Sequence, residues 1–286
     1  MGNKYISLKD LAKELNVSIS TVSRALKDHP DISPEVCRKV KLLAKERNYI
    51  PNPLAMGLLK QETHIIGVIV PDLVLHFYAS IISGIEKIAN KNGFFTIIAS
   101  SEESYKKEVE VLNNLLNARV DGIIMCLSKE TKRYSHFKTL IDNNMPLVFF
   151  DRICLVSKVP CVTVDNREAS LDVIKHLKTE GYKRIAFIAG PPNLNISKER
   201  LAGYLEGLKE CGFTEITELI EICDLSYDSA YKAMLRLLDL PHPPDAVFCV
   251  NDTVAFAGMK VIKSKGLNIP KDVGIVGFTD DFHATI

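Results

Sequence analysis

The stretch that decides the N-terminal fold, residues 7–26, reads Ser-Leu-Lys-Asp-Leu-Ala-Lys-Glu-Leu-Asn-Val-Ser-Ile-Ser-Thr-Val-Ser-Arg-Ala-Leu. Ser7 precedes the first apolar residue and Asp10 follows three positions later, which is a variant of the capping box that begins helices. The apolar positions are spaced for one helix face and are Leu8, Leu11, Ala12 and Leu15. Asn16 tolerates the left-handed conformation that ends helices. The stretch therefore predicts a short amphipathic helix followed by a turn.

A second short helix is predicted after this turn, with Ser18 as its N-cap. Its inward residues are Val22, Ala25 and Leu26. The positions left to face outward are Ile19, Ser20, Thr21, Ser23 and Arg24. Short hydroxyls near phosphates and an arginine that reaches a guanine edge are what a DNA recognition helix requires. We interpret the pair as a helix-turn-helix, with an ordinary helical hairpin as the alternative.

A third helix is predicted to begin at the Ser33-Pro34 pair, an N-cap followed by proline, and to run to about Arg47. Its inward positions are Val36, Val40, Leu43 and Ala44. Beyond it, Asn52 is placed to cap one further short helix. With about two turns and an internal Gly57, that helix should be marginal when isolated. We interpret it as a helix that forms against DNA, with a plain linker as the alternative.

Charge and composition limit the class of protein. Residues 1–60 have a net charge of +5, whereas the remainder of the 286-residue chain has a net charge of −4. A basic segment suits phosphate binding, although five positive charges also suit any solvated surface. No run of about 18 apolar residues predicts a membrane span, and no signal-peptide apolar region is evident. At roughly 150 residues per domain, two or three domains are expected.

The cysteine and histidine patterns argue against metal or nucleophilic chemistry. The seven cysteines are odd in number and widely spaced, without a Cys-x-x-Cys pair. They are typical of reduced residues in a cytosolic protein. No His-Glu-x-x-His, Gly-x-Ser-x-Gly, Gly-x-Gly-x-x-Gly or Walker pattern appears. We therefore expect no catalytic residues, no metal, no cofactor and no enzyme activity.

From residue 64 onward, apolar runs of strand length alternate with helical stretches. The first series of expected strands comprises His64–Val70, Phe94–Ser100, Gly122–Cys126 and Leu147–Phe150, which we expect to be buried. The second series comprises Val162–Val164, Arg184–Gly190, Leu219–Cys223, Ala246–Val250 and Val273–Phe278. The alternation predicts two doubly wound, parallel-sheet α/β lobes with a cleft between them. In such sheets, ligands bind beyond the carboxyl ends of the strands.

Polar groups follow several of these apolar runs. They are Asp72, Asp151, Asn251, Thr279 and Asp280, with Arg200 in a later helix. Sugar binding requires carboxylates, amides and a guanidinium beside an apolar wall, which Phe77 and Tyr78 can supply. The alternative is that Asp72, Asp151 and Asp252 serve as helix N-caps.

Several of these pieces together resemble the lactose-repressor (LacI-type) family of bacterial transcription factors. In the N-terminal part they are Val17–Leu26, Ile32–Val36 and Asn48–Asn52. In the remainder they are Val-Pro-Asp (70–72), Phe-Phe-Asp-Arg (149–152), Val-Asp-Asn-Arg (164–167), Lys-Arg-Ile-Ala-Phe-Ile-Ala-Gly (183–190), Glu-Arg-Leu-Ala-Gly-Tyr (199–204), Val-Asn-Asp (250–252) and Val-Gly-Phe-Thr-Asp-Asp (276–281). The resemblance implies an all-α helix-turn-helix headpiece joined to a periplasmic-binding-protein-like sensor of two lobes.

The resemblance also implies roles for individual residues. In the headpiece, Ser18, Thr21 and Ser23 are expected to contact phosphates. Ile19, Ser20 and Arg24 are expected to read the major groove. Leu58 is expected to insert into the minor groove. Apolar side chains that insert in this way are known to kink DNA. The remaining expected DNA contacts are Ser7, Lys27, Asn52 and Ala55.

In the sensor, the resemblance places Asp151, Arg200 and Asn251 in an effector pocket, with Asp72, Phe77 and Tyr78 beside them. Thr279 and Asp280 complete the expected set. This chain has Leu75-His76 where many relatives have Asn-Pro, and Thr279 where many have a ligand-binding aspartate. The identity of the sugar therefore stays open, and a non-sugar effector remains an alternative.

We expect the domains to be a headpiece (1–50), a hinge helix or linker (51–62), a first lobe (63–160) and a second lobe (161–286). The sequence stops at Ile286, before the segment with which the family returns to the first lobe. We therefore expect either a piece of a longer protein or an incomplete lobe.

The function that these observations favour is a cytoplasmic, homodimeric transcription regulator, most simply a repressor. It would bind near-palindromic operator DNA, would have no membrane partner, and would be controlled by a sugar-like small molecule. A sensor whose headpiece binds another protein is the main alternative. An enzyme with its site in the cleft is a third.

Overall fold

The computed structural model describes residues 6–49, 62–154 and 159–285. Its contacts divide the chain into two compact units, Met1–Thr63 and His64–Ile286. We call the described part of the first unit the headpiece and the second unit the sensor, and describe each by itself. No helix of the described ranges is long and apolar enough to cross a membrane.

The headpiece consists of three helices whose starts are set by local caps. They are α1 (Leu8–Glu14), α2 (Ile19–Ala25) and α3 (Pro34–Glu46). The predicted capping box is confirmed, because the Ser7 hydroxyl accepts from the Asp10 N–H and the Asp10 carboxylate accepts from the Ser7 N–H. Ser18 and Ser33 cap α2 and α3 without a reciprocal bond, because their hydroxyls accept from the Thr21 and Val36 N–H. Asn16 has φ 51°, the left-handed conformation expected at the end of α1.

A small apolar core holds these helices together. Its fully buried side chains are Leu11, Val22, Ala25 and Val40. The other predicted inward positions are less enclosed, since Leu8, Leu15 and Leu26 are only partly buried against this core. On the outward face of α2, Ile19, Ser20 and Arg24 are exposed.

The first lobe of the sensor contains a parallel sheet in the order β2-β1-β3-β4-β5. Its strands are β1 (Ile65–Val70), β2 (Phe95–Ser100), β3 (Gly122–Met125), β4 (Leu147–Phe150) and β5 (Cys161–Val162). Its helices are α4 (His76–Lys91), α5 (Tyr105–Asn117) and α6 (Ser135–Asp142). This is the doubly wound pattern that the alternation predicts.

Two expectations about these strands were wrong. We assigned the strand near Val162 to the second lobe, but β5 pairs with β4, and the Asp151 N–H donates to the Val162 carbonyl at 3.0 Å. Periodicity identifies a strand without identifying its partner, so only the hydrogen bonds decide. We also expected β2 to be buried, yet Phe95 is 73% exposed. The reason is that β2 is an edge strand with β1 as its neighbour.

The second lobe contains a parallel sheet in the order β7-β6-β8-β9. Its strands are β6 (Ile185–Ala189), β7 (Ile220–Ile222), β8 (Ala246–Cys249) and β9 (Gly274–Val276). Its helices are α7 (Asn166–Thr179), α8 (Asn195–Cys211), α9 (Tyr227–Leu238) and α10 (Asp252–Ser264). Short 3-10 turns lie at Thr217–Leu219 and Phe282–Thr285. The core is aromatic at its centre, where Phe187 stacks on Tyr204 and packs against Phe248.

Helices α7 and α8 approach each other closely because two glycines face α7. A Cβ atom at Gly203 would lie 2.2 Å from the Arg167 carbonyl oxygen. One at Gly207 would lie 2.7 Å from the Ile174 Cβ. Arg200 stands one helical turn before Gly203. The close approach therefore brings its guanidinium to the start of α7.

Candidate nucleic-acid interface and ligand cleft

The exposed face of α2 carries the side chains predicted to contact DNA. Ile19 is 47% exposed and the Arg24 side chain 56% exposed. Ser7, Ser18, Ser20 and Lys27 are also exposed, whereas Thr21 and Ser23 are partly buried. Six of the eight predicted contacts in the headpiece are therefore exposed.

Three hydroxyls at the start of α2 form a local cluster. The Ser18 hydroxyl accepts from the Thr21 N–H at 3.0 Å. It also lies 2.7 Å from the Ser20 hydroxyl oxygen and 2.8 Å from that of Thr21. Ser18 is therefore a structural cap as well as a predicted phosphate contact. The predicted contacts Asn52, Ala55 and Leu58, and most of the expected hinge, lie outside the described residues.

In the sensor, Asp151 comes directly after β4 at the edge of the cleft. Its φ is 55°, and its carbonyl accepts from the side-chain amide of Asn195 in the second lobe at 3.1 Å. Burial raises the pKa of the Asp151 carboxyl, while the charges of Arg152 and Arg200 act in the opposite direction. A partly desolvated carboxylate therefore stands where one lobe meets the other.

Arg200 lies on the opposite side and is almost completely enclosed, with 2% of its surface exposed. Its Nε donates to the Asn166 side-chain oxygen at 2.8 Å and one terminal nitrogen donates to the Val250 carbonyl at 2.5 Å. The guanidinium carbon lies 3.7 Å from the centre of the Phe278 ring. Burial lowers the pKa of Arg200 to about 10, with the charge of Asp151 opposing this shift. The side chain stays cationic at neutral pH and links α7, β8 and the segment after β9.

Asn251 and Asp72 commit oxygen atoms to the backbone. The Asn251 side-chain oxygen accepts from the Val254 N–H at 2.9 Å and so caps α10. One Asp72 carboxylate oxygen accepts from the Val74 N–H at 2.6 Å, before α4. The helix N-cap alternative is wrong for Asp72, because Leu75 is the N-cap of α4 and Asp72 bonds only to the loop before it. Asn251, in contrast, is the N-cap of α10. Neither bond excludes a ligand at the remaining polar atoms.

The two aromatic residues predicted as a pocket wall lie at the start of α4. Tyr78 is 2% exposed and packs in the first-lobe core, while Phe77 is partly buried against the same cluster. The Tyr78 hydroxyl and the Asp151 carboxylate each lie 3.8 Å from the Cys126 thiol. Tyr78 is therefore enclosed in the first lobe, with its hydroxyl beside the thiol that also neighbours Asp151.

Thr279 and Asp280 occupy a tight turn after β9. Both have positive φ, 109° and 50°. The Thr279 hydroxyl donates to the Asp252 carboxylate at 3.1 Å, while Asp280 is exposed. A Cβ at Gly277 would lie 1.9 Å from an Asp252 oxygen, so only glycine permits this approach. The Thr279 hydroxyl is thus partly engaged within the fold.

Several residues that the sequence analysis did not select join the lobes or lie beside the cleft. Arg152 is 4% exposed and one of its terminal nitrogens donates to both carboxylate oxygens of Glu103 at 2.8 Å. Across the lobes, the Lys129 ammonium donates to the Asp224 carbonyl at 2.9 Å. The Asn195 side-chain oxygen accepts from the Ile153 N–H at 3.0 Å. The landmark Phe-Phe-Asp-Arg already contained Arg152, but no local signal pointed to Asn195.

Both units match known protein families. Residues 7–52 match the family described as bacterial regulatory proteins, lacI family. Residues 63–280 match the family of periplasmic binding proteins and sugar binding domain of LacI family.

Curated relatives extend this match over nearly the whole chain. The HTH-type transcriptional repressor CytR of Escherichia coli K12 is 33% identical over 275 residues, which are 95% of this chain and 79% of that protein. Catabolite control protein A of Priestia megaterium is 34% identical over 274 residues, 96% of this chain and 82% of that protein. These relatives are transcriptional regulators, which are not enzymes.

Solved structures agree with the fold described above. A lac repressor dimer bound to operator and the anti-inducer ONPF is 26% identical with a TM-score of 0.80, covering 96% of this chain and 82% of that one. A complex of the transcriptional regulator CelR with cellobiose is 29% identical with a TM-score of 0.68, covering 96% and 83%. The chain therefore belongs to the LacI family of DNA-binding transcriptional repressors, with a helix-turn-helix headpiece followed by a periplasmic-binding-protein-like sugar-binding domain.

Proposed function

We propose that this protein is an effector-controlled repressor that binds a near-palindromic operator as a homodimer. The observation that carries this proposal is the exposed face of α2, a capped helix with Arg24 and a cluster of hydroxyls outward, in a chain of this family. The lac repressor structure that the chain resembles is a dimer on its operator. Two headpieces per dimer require two related half-sites.

On the DNA, Ser18, Thr21 and Ser23 contact phosphates in this proposal. Ile19, Ser20 and Arg24 contact base edges in the major groove. Arginine is suited to this role because its planar fork donates to two guanine acceptors at once. Ser7 and Lys27 add backbone contacts, and the expected hinge contributes Asn52, Ala55 and the minor-groove wedge Leu58.

The effector in this proposal is a sugar or sugar derivative held between the lobes. Asp151, from the end of β4, and Arg200, from α8, supply an acceptor and a donor on opposite sides of the cleft. The second lobe adds Asn251, Thr279 and Asp280, and the first adds Asp72, Phe77 and Tyr78. A polyol suits this mixture because neighbouring hydroxyls both donate and accept. The CelR structure supports a sugar by analogy, since that protein is in complex with cellobiose.

We propose the domain limits 1–50, 51–62, 63–160 and 161–286, except that β5 joins the first sheet. The effector regulates the protein by binding one arrangement of the lobes more tightly than another, since only a difference in affinity can shift an equilibrium. We also infer that the protein works in the cytoplasm, where bacterial operator DNA is found.

The proposal is tested by selecting duplexes from a random-sequence library with the full chain and measuring affinity for the most enriched duplex by gel shift. We expect a near-palindromic consensus. Arg24→Ala should cost about 1–3 kcal/mol per half-site and relax selectivity at one base position in each. Failure to enrich any sequence would contradict the proposal and would favour a protein as the partner of the headpiece.

A further inference from the structure

An acidic side chain, Asp31, lies next to the arginine that we propose reads the bases. One terminal nitrogen of Arg24 is 3.7 Å from an Asp31 carboxylate oxygen, and the two side chains are 56% and 64% exposed. Asp31 is not among the residues predicted to contact DNA. A carboxylate at this position requires an explanation, because it repels the phosphates that the surrounding surface is expected to contact.

The backbone of the loop between α2 and α3 holds Asp31 in place. The His29 N–H donates to the Arg24 carbonyl at 3.1 Å, and the Ile32 N–H donates to the His29 carbonyl at 3.0 Å. Ile32 is partly buried against the headpiece core. The Asp31 N–H donates to the His29 Nδ1 at 3.3 Å. The carboxylate therefore stands on a short loop that is tied to α2 at one end and to the core at the other.

The same loop contains a second acid with a different partner. Both carboxylate oxygens of Asp28 accept from the Lys41 ammonium of α3, at 2.6 and 2.5 Å. Asp28 thus neutralises a lysine that belongs to α3. In contrast, Asp31 lies between Arg24 and His29, whose Nδ1 is 3.5 Å from its carboxylate. The two aspartates contribute equally to the net charge, but Asp31 pairs with Arg24 whereas Asp28 pairs with Lys41.

The Arg24–Asp31 pair adds little to the stability of the fold, because both side chains are exposed and exposed ion pairs contribute little net free energy. Its effect should appear on DNA. Phosphates attract arginine at any sequence, and this attraction supplies essentially all of non-specific binding. A guanine edge offers two acceptors in a fixed arrangement, to which the guanidinium donates two parallel hydrogen bonds.

We propose that Asp31 is a specificity-determining residue, which restrains Arg24 and cancels its attraction to phosphates so that it contributes mainly at a guanine edge. This inference rests on the proposed function, since it requires that Arg24 reads DNA. The gain is selectivity: Asp31 weakens binding to arbitrary sequences more than binding to the operator. Specificity of this kind comes from opposing the wrong partner as well as from contacts with the right one.

The test uses the full chain, its most enriched duplex, and a shuffled duplex of the same base composition. Asp31→Asn removes a carboxylate from each headpiece of the dimer, so it should tighten binding to the shuffled duplex about 25- to 100-fold near 0.1 M salt, the effect of roughly one added phosphate contact per headpiece. Its salt dependence should steepen by a slope of about 1.8. Affinity for the enriched duplex should change less than about twofold, so the ratio of the two affinities falls by more than about tenfold.

Two controls separate this effect from a general change of charge. Asp28→Asn alters the net charge equally in the same loop, but Asp28 pairs with Lys41, so it should leave the ratio of affinities unchanged. Asp31→Asn should also leave the ratio unchanged in the Arg24→Ala background. Asp31→Glu, which keeps the carboxylate, should restore most of the selectivity.

The inference is overturned if Asp31→Asn leaves the ratio unchanged, if Asp28→Asn lowers it equally, or if the effect persists without Arg24. If a duplex is enriched but any of these three results is obtained, only the proposed role of Asp31 fails. If no duplex is enriched, the proposed function itself fails, and the role of Asp31 fails with it.

Discussion

Arg24 in the headpiece and Arg200 in the sensor place the same guanidinium in opposite surroundings. Arg24 is 56% exposed and its ion partner is an acid 3.7 Å away. Arg200 is 2% exposed, donates to Asn166 and Val250, and stacks on Phe278. The exposed side chain keeps its donors for an incoming partner, whereas the buried one has already committed donors to the fold. A ligand that reaches Arg200 must therefore act on the packing of several elements.

This contrast extends to the surfaces around the two arginines. The polar face of α2 is built from neighbouring residues of one short helix. The cleft is built from β4, α8, the cap of α10 and the turn after β9, which are far apart in the chain. A change on α2 should affect DNA binding and leave the sensor intact. A change in the cleft should affect folding and sensing together.

The largest effect is expected for Arg200→Met, which removes the donors of two buried acceptors, the Asn166 side-chain oxygen and the Val250 carbonyl. An unsatisfied buried polar group costs about 1–3 kcal/mol, so with two of them the sensor should lose about 2–6 kcal/mol of its free energy of unfolding. Calorimetry of the full chain measures this loss. The matched change Arg24→Met should stay within about 0.5 kcal/mol, as for most exposed sites. Equal losses of stability in the two variants would contradict the contrast between a buried and an exposed arginine.

A smaller effect is expected for Ser18→Ala in the headpiece. The substitution removes the hydroxyl that accepts from the Thr21 N–H, and loss of an N-cap costs about 0.5–2 kcal/mol. Hydrogen exchange of the α1–α3 amides in the full chain measures local stability. Ser20→Ala is the control, because the Ser20 hydroxyl neighbours Ser18 without capping the helix. Similar losses in the two serine variants would show that Ser18 is not the cap on which α2 depends.

The smallest effect on stability is expected for Asp151→Asn, and it should depend on pH. Burial raises the pKa of this carboxyl above its ordinary value of 3.8, so the folded state holds the proton more tightly than the unfolded state. Wild type therefore loses stability as the pH rises from 3.8 through the folded pKa, and the loss is complete above it. The asparagine variant should melt a few degrees higher than wild type at neutral pH. Below pH 3.8 the difference should vanish.

Asp224→Asn is the control of opposite sign. A hydrogen bond from the Ser226 hydroxyl lowers the pKa of Asp224, despite some burial. The ionised carboxylate therefore stabilises the folded state above the ordinary pKa, and this contribution disappears as the pH falls through the lowered value. The Asp224 variant should melt lower than wild type at neutral pH. A lower melting temperature for Asp151→Asn as well would show that its attraction to Arg152 and Arg200 exceeds the cost of burial.

The elements of both units were largely predictable from the sequence, because their signals are local. The caps Ser7, Ser18 and Ser33 each bond to a backbone N–H three residues away, so a short window contains both partners. The apolar strands are likewise visible as continuous runs, and each expected strand is present with only slightly shifted ends. These features depend on neighbouring residues and on periodicity.

Features that depend on a distant partner were not predictable in this way. The expected place of β5 in the second lobe was wrong, because its pairing with β4 depends on how the chain returns after Asp151. The expected burial of β2 was wrong, because an edge strand has the same apolar composition as a central one. Asp31 carried no signal of its own, because only the folded loop brings it beside Arg24.

By itself, the sequence determined the helix caps, the helical and strand segments and the family. It also determined which polar residues are candidates for contacting DNA and an effector. Only the tertiary structure decided which of these polar atoms remain available. Arg200 donates to Asn166, and Thr279 donates to Asp252. The side-chain oxygen of Asn251 accepts from a backbone N–H at the start of α10. The physical reason is that a buried hydrogen-bonding group must find a partner, and the fold determines which partner lies within reach.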